Sequence, residues 1–144
     1  ILEKPGMRSR VVYTVFVIQS FCYHWTTPLQ DTIAPLLDGY QIGLGIGDNE
    51  SACWCLNSRS HHLFYVGRAL DSIQKELEAS ISVFTQLKQD ESLLHCIGLL
   101  TTMKKLRGID DEAGDEILDS ILATAASNRD SFLSAAVNSM KLEV

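Results

Sequence analysis

The side chains best suited to chemistry in this chain of 144 residues are its four cysteines and four histidines. Cysteine thiolates and imidazoles are common zinc ligands, and together they form the nucleophile and base of thiol enzymes. Cys53 and Cys55 are two residues apart, as are Cys22 and His24. On a helix this spacing points the two side chains about 200° apart, so one ion cannot bind both. We therefore expect structural thiols and partly buried imidazoles, with no metal and no cofactor.

A metal site or a thiol nucleophile would need partners from other helices, such as His61, His62 or His95. Cys96 follows His95 directly, but adjacency in sequence does not set the geometry of a nucleophile and its base. A thiol- or metal-dependent helical enzyme therefore stays open as an alternative. Because the sequence contains no paired carboxylates, triad or cofactor motif, our leading prediction is that the chain is not an enzyme and has no catalytic residue.

Two further patterns only partly match ligand-binding loops. Gly43, Gly45 and Gly47 suggest a phosphate loop, which requires a preceding strand and a following Lys-Ser/Thr pair. Here a predicted helix precedes and Asp-Asn-Glu follows, so the glycines indicate a helix end with close packing. The acidic residues within 110–119 lack the carboxylate that a calcium loop needs five positions before Gly114, and they fit a helix N-terminus better.

Composition and charge limit the classes of partner. The net charge of −6 argues against a nucleic-acid binder, because that affinity depends on basic residues. The most apolar stretch, Val11 to Trp25, contains Gln19, Ser20 and His24 and is too short to span a bilayer. Cysteines in apolar helical segments, without a signal peptide, predict a cytoplasmic protein. The first residue, Ile1, suggests a fragment or a processed chain.

These residues lie on helices, because apolar positions recur at steps of three and four nearly everywhere. We predict about seven helices: one ending near Trp25, then Pro28 to about Ile46, Asn49 to about Val66, Leu70 to Lys88, Asp90 (as cap) to Arg107, one from Asp110–Glu112, and a last one carrying Phe132, Leu133, Ala136, Val137 and Met140. The first helix should be largely buried, with one face formed by Val11, Val15, Ile18 and Cys22.

Helix ends are predicted from capping residues. Thr27 should cap the second helix, with Pro28 at its first position and Gln30 completing a capping box. Pro35 predicts either a kink or a later start. Gly47 should end this helix, and Asp48 should cap the next.

Successive helices start about 21 residues apart, so a unit of two helices repeats at about 42 residues. This period predicts a single all-α domain, residues 1–144, in which antiparallel helical hairpins stack as an α-solenoid similar to tetratricopeptide repeats.

The segment from Arg10 to Leu77 also resembles a known family. The residues that carry the likeness are, in order, Phe21, Trp25, Pro28, Leu29, Leu37, Gly39, Tyr40, Gly43, Leu44, Gly47, Asp48, Glu50, Ala52, Phe64, Gly67, Arg68 and Leu70. Their order is similar to the tetratricopeptide-like helical region behind the AAA/STAND-type ATPase module of large multidomain signalling proteins. The resemblance implies a helical region without catalytic residues, joined to ATPase, kinase or related domains.

We therefore expect a non-catalytic, protein-interacting and regulatory helical-repeat module of a signalling protein. A structural subunit that holds other chains by its apolar helix faces is the second possibility. The partner is expected to be a protein or an adjacent domain of the same polypeptide. The candidate partner surface consists of Trp54, His61, His62 and Tyr65, on and beside one face of the third helix.

Overall fold

The computed structural model describes residues 5–109, 112–129, 134–135, 137–138 and 141, and within them it is all-helical, without strands. Its six α-helices are α1 (Pro5–Val17), α2 (Ile33–Ile46), α3 (Asn49–Tyr65), α4 (Leu70–Gln86), α5 (Asp90–Leu106) and α6 (Glu112–Ser127). A π-helix (Ile18–Cys22) and two 3₁₀ helices (Tyr23–Trp25 and Leu29–Thr32) connect α1 to α2. None of the helices in the described ranges has the length and apolar character needed to cross a membrane.

The glycines end three helices as predicted or close to it. Gly47, Gly67 and Gly108 have φ angles of 78°, 77° and 69°, the left-handed conformation that lets a chain turn out of a helix. The carboxylate of Asp48 accepts a hydrogen bond of 3.2 Å from the backbone N–H of Ser51. The prediction that Asp48 caps the third helix is therefore confirmed.

The predicted burial of the first helix is wrong. Val12 and Phe16 are buried, whereas Val11 is 54% exposed and Cys22 is exposed. The reason is that, among the described residues, α1 packs against α2 and α3 on the side of Val12 and Phe16. Val11 and Cys22 therefore stay at the surface, and of the predicted face Val15 does lie against α2, at Gly39.

The predicted capping box at Thr27 is also wrong. The Thr27 hydroxyl donates backwards to the carbonyl oxygen of Tyr23 (2.9 Å) and so ends the preceding 3₁₀ helix. Pro28 is extended, with ψ 138°, and α2 begins only at Ile33. Pro35 thus lies in the first helical turn, which it tolerates because the N–H that it lacks would have no partner there. Of the two outcomes predicted for Pro35, the later start is correct.

At the start of α5, Asp90 is the first helical residue and not the cap. Its carboxylate is still placed in the first turn, where the helix dipole favours a negative charge. Of the last predicted helix, Phe132, Leu133, Ala136 and Met140 lie outside the described residues. Val137 is helical and fully buried, where it packs in the cluster of Leu118, Ile121 and Ala125 on α6.

The closest helix contact joins α2 and α3. A Cβ atom added to Gly43 would lie 2.7 Å from the Cβ of Ala52, and one added to Gly39 would lie 2.9 Å from the sulfur of Cys55. Only small residues permit this approach. Gly39, Gly43 and Ala52 thus allow α2 and α3 to pack closely.

The main core lies between α3, α4 and α5. It consists of fully or almost fully buried side chains: Cys53, Leu63, Ile73, Leu77, Phe84, Cys96, Leu99, Leu100 and Met103. On α4, Ile73, Leu77 and Phe84 recur at steps of four and seven and all fall in this core. A second cluster joins α1, α2 and α3 through Val12, Phe16, Leu36 and Cys55, and it holds α1 beside the N-terminal half of α3.

Candidate functional site

A groove of about 680 Å³ lies between α1 and the start of α3, and we call it the aromatic groove. It is lined by Arg10, Tyr13, Phe16, Val17, Phe21, Asp48, Glu50, Ser51 and Trp54. Four of these nine residues are aromatic, and three carry charge. An apolar centre with a charged edge is the usual composition of a protein interaction surface.

Phe16 is at the centre of the aromatic rings. Its ring stacks on Trp54, with centroids 5.8 Å apart and planes at 26°. Phe21 meets Phe16 edge-on at 5.7 Å, and Tyr13 lies tilted against it at 6.1 Å. These distances and angles are in the favourable range for aromatic pairs, so the rings are held in fixed positions relative to each other.

The backbone of α1 explains why Tyr13, Phe16 and Phe21 share one side. Tyr13 and Phe16 are three residues apart, which places them next to each other on a helix. Phe21 follows Phe16 by five residues, and on a regular α-helix this spacing would point the Phe21 side chain away from Phe16. The π-helix at Ile18–Cys22 widens the turn and keeps Phe21 beside Phe16.

Much of this aromatic surface is open to solvent. Tyr13 is 56% exposed and Phe21 is 45% exposed, while Trp54 is half-buried. The other edge of the Trp54 ring contacts His95 from α5, with centroids 5.1 Å apart. Trp54 is therefore anchored on two sides and still contributes to the wall of the groove.

The charged residues lie at the edge of the groove. Arg10 is on α1, and Asp48 and Glu50 belong to the first turn of α3 and its cap. Asp48 uses one oxygen to hold the N–H of Ser51. The edge thus presents one positive and two negative side chains around an apolar centre.

The predicted surface of Trp54, His61, His62 and Tyr65 is divided in the structure. Trp54 lines the aromatic groove. His61 is half-buried and His62 is buried. Tyr65 is 58% exposed and packs edge-on against Phe64 at 5.5 Å. Of the four residues, Trp54 alone lines the aromatic groove.

His62 has a specific partner in the interior. Its Nδ1 lies 2.6 Å from the hydroxyl oxygen of Thr32. Burial, together with the nearby His24, lowers the pKa of His62 to about 4. The pKa of His61 is also lowered to about 4, mainly by burial and further by His95 and His62. Both imidazoles are therefore neutral at pH 7.

The thiols are poorly suited to nucleophilic chemistry. Cys53, Cys55 and Cys96 are completely buried, and burial raises their pKa values to about 11, 12 and 12. The thiolate is the reactive form, so these groups are neutral and shielded at pH 7. Cys22 is exposed. In the part of the chain that the structure describes, no three His, Cys, Asp or Glu residues gather in a way that could hold a metal ion.

Tyr13, Phe16 and Phe21 were not predicted as site residues from the sequence. The spacing of Tyr13 and Phe16 was a usable signal, since it places two aromatic rings side by side on a helix. Phe21 gave no such signal because the π-helix changes its direction. That α1 lies against α3 beside Trp54 is a property of the packing and cannot be obtained from helical periodicity.

Comparisons with protein-family models, with curated proteins and with solved structures found no match.

Proposed function

We propose that this chain is a non-catalytic helical-repeat module that binds a protein partner in the aromatic groove. The observation that carries the proposal is the cluster of four rings around Phe16, of which Tyr13 and Phe21 are about half exposed. Tyrosine and tryptophan in such clusters commonly supply most of the binding energy of an interface. The rings are already fixed by mutual packing, so little order is lost on binding.

The groove suits a peptide or helix with large apolar anchors. Rings from the partner would fill the space between α1 and α3 and displace water from the exposed faces of Tyr13 and Phe21. Basic groups on the partner would face Asp48 and Glu50, and an acidic group would face Arg10. This mixed edge gives orientation and specificity more than affinity.

A regulatory role within a larger signalling protein is part of the same proposal. It rests on the likeness of residues 10–77 to the helical region behind AAA/STAND-type ATPase modules. The contacts of α2 with α3 and of α4 with α5 support a stack of antiparallel hairpins at the 42-residue period. In such a stack, binding at α1 and α3 would shift one hairpin relative to the next.

The proposal is tested with peptides selected for binding to the folded chain from a random library. We expect the double variant Tyr13→Ser, Phe21→Ser to weaken their binding at least about tenfold in calorimetry. Both side chains are about half exposed and lie outside the buried core, so the variant should keep its helical circular dichroism spectrum.

Tyr65→Ser is the matched control. Tyr65 is as exposed as Tyr13 but lies outside the groove, and its loss should leave peptide affinity unchanged. The proposal would be contradicted if the groove variant bound the peptides as tightly as the unmodified chain. It would also be contradicted if only Tyr65→Ser lost peptide affinity, or if the library yielded no binder.

A further inference from the structure

The side of α1 that faces away from the core forms a second groove, of about 400 Å³, which we call the outer groove. Its wall comes entirely from α1 and the two short helices that follow it. It includes Arg10, Val11, Thr14, Val15, Ile18 and Tyr23. Val11 is 54% exposed and Tyr23 is 44% exposed. A helix that is apolar on nearly all sides is normally covered on nearly all sides.

The packing of the other helices shows which contact α1 lacks. α2 packs against α3, α4 against α5, and α6 against α5 and Val137. Within the described residues, α1 has helical neighbours on the side of Val12 and Phe16, and Val15 lies at the border of that side, against Gly39 of α2. The outer groove is therefore an unpartnered helix face.

We propose that a second copy of this chain covers the outer groove, with the two α1 helices antiparallel about a twofold axis. The lining is nearly symmetric about the midpoint between Phe16 and Val17. An antiparallel copy places Val15 opposite Ile18 of the other chain, Thr14 opposite Gln19, and Arg10 opposite Tyr23. Apolar side chains thus meet apolar ones, and each polar residue meets an uncharged group.

Charge favours the antiparallel arrangement. Arg10 is the one charged residue among those that line the outer groove. In the antiparallel pair the two Arg10 Cα atoms are about 20 Å apart along the axis, from a rise of 1.5 Å per residue. Separations beyond about 10 Å are largely screened at ordinary salt. Each guanidinium instead lies over the Tyr23 ring of the other chain, a favourable cation–π geometry.

A contact at this end keeps the strongly acidic remainder of each chain away from the other copy. The first 30 residues contain three of the 12 basic residues and one of the 18 acidic residues. The other 17 acidic residues give the rest of the molecule its negative charge. Two copies that meet through α1 therefore keep their acidic surfaces apart. A twofold contact also uses the exposed face on both chains, so assembly stops at two.

The test is a charge exchange at the predicted pair Thr14 and Gln19. One variant carries Thr14→Lys and Gln19→Lys, and the other carries Thr14→Glu and Gln19→Glu. In either variant alone, like charges face each other twice across the twofold axis, whereas a mixture pairs opposite charges. Lysine and glutamate are good helix formers, so α1 itself should be unharmed.

Analytical ultracentrifugation should find the unmodified chain at twice the chain mass at about 50 µM, consistent with an interface of roughly micromolar strength. Each double variant should be a monomer, and their equimolar mixture should return to twice the chain mass. Ala79→Lys, on the exposed side of α4, should remain a dimer.

A monomeric unmodified chain would overturn the proposal, as would dimers that persist in both variants or a mixture that stays monomeric. The proposal can be tested separately from partner binding in the aromatic groove, since Arg10 is the one residue that lines both grooves. The variant Tyr13→Ser, Phe21→Ser should dimerise normally even if it no longer binds the selected peptides. The charge variants should still bind those peptides.

Discussion

The contact between His62 and Thr32 shows how a single hydrogen bond fixes the position of a ring and the nitrogen that carries its proton. The Thr32 hydroxyl donates its one proton to the carbonyl oxygen of Leu29 at 2.7 Å. Its oxygen must therefore accept from the Nδ1–H of His62 at 2.6 Å. This arrangement joins α3 to the 3₁₀ helix before α2, and it requires a proton on Nδ1 of His62. The neutral state of the ring at pH 7 follows from burial, which lowers the pKa.

The lowered pKa of His62 makes stability depend on pH. The folded pKa is about 4, and the unfolded pKa is about 6.5. Between these values the unfolded chain binds more protons. The free energy of unfolding therefore falls as the pH drops from about 6.5 to 4, and it is unaffected by this group below that range. At pH 5 the loss due to His62 is about 2 kcal/mol.

His62→Asn tests this prediction. Asparagine carries an amide nitrogen on Cγ, where histidine carries Nδ1, so it can still donate to Thr32 but cannot titrate. Urea unfolding should show that the difference in unfolding free energy between pH 7 and pH 5 shrinks by about 2 kcal/mol in the variant. An unchanged difference would show that His62 does not carry the acid sensitivity.

The four cysteines should differ sharply in reactivity. Because Cys53, Cys55 and Cys96 are buried and have raised pKa values, we expect a disulfide reagent to modify only Cys22 rapidly in the native chain at pH 8. All four should react in denaturant. Cys22→Ser should abolish the rapid phase. A second rapid thiol in that variant would instead support the alternative of a thiol-dependent enzyme.

At the scale of helices, the contact between α2 and α3 depends on Gly43. An added methyl group would lie 2.7 Å from the Cβ of Ala52 and 3.1 Å from backbone atoms, which cannot move away as a flexible side chain can. We expect Gly43→Ala to lower the free energy of unfolding by about 1–3 kcal/mol, as measured by urea denaturation.

Gly45 is the matched control in the same helix. A methyl group added there meets nothing within 4 Å, and alanine is the better helix former by about 1 kcal/mol. Gly45→Ala should therefore stabilise the chain slightly. If the two alanine variants changed stability in the same direction, close helix contact would not be the property that glycine provides at position 43.

Helix positions could be predicted from sequence, whereas the directions of their faces were predicted less well. The glycines in the left-handed conformation and the cap at Asp48 are local signals. From them the ends of α3 and α4 were predicted nearly to the residue. The face of α1 was misjudged because valine, isoleucine and phenylalanine surround that helix. Periodicity cannot identify the buried side when all sides are apolar. The π-helix also changes the direction of the Phe21 side chain, and the sequence pattern does not indicate that change.

For the molecule as a whole, the all-helical class follows from the apolar spacing, but the aromatic groove does not. Trp54 was identified from its residue type, and Tyr13, Phe16 and Phe21 belong with it only because α1 lies against the N-terminal half of α3. That register is set by Val12, Phe16, Leu36 and Cys55, which pack between three helices. A site built from two segments about 35 residues apart depends on tertiary contact.

The most direct test of partner binding in the aromatic groove is the fluorescence of Trp54. The chain has two tryptophans, so Trp25→Phe leaves Trp54 as the single reporter in the wall of the groove. Titration with a selected peptide should shift the Trp54 emission to shorter wavelength, because the partner removes water from its exposed edge. The shift should saturate at the Kd that calorimetry gives. Calorimetric binding without any change in Trp54 emission would contradict the proposed function.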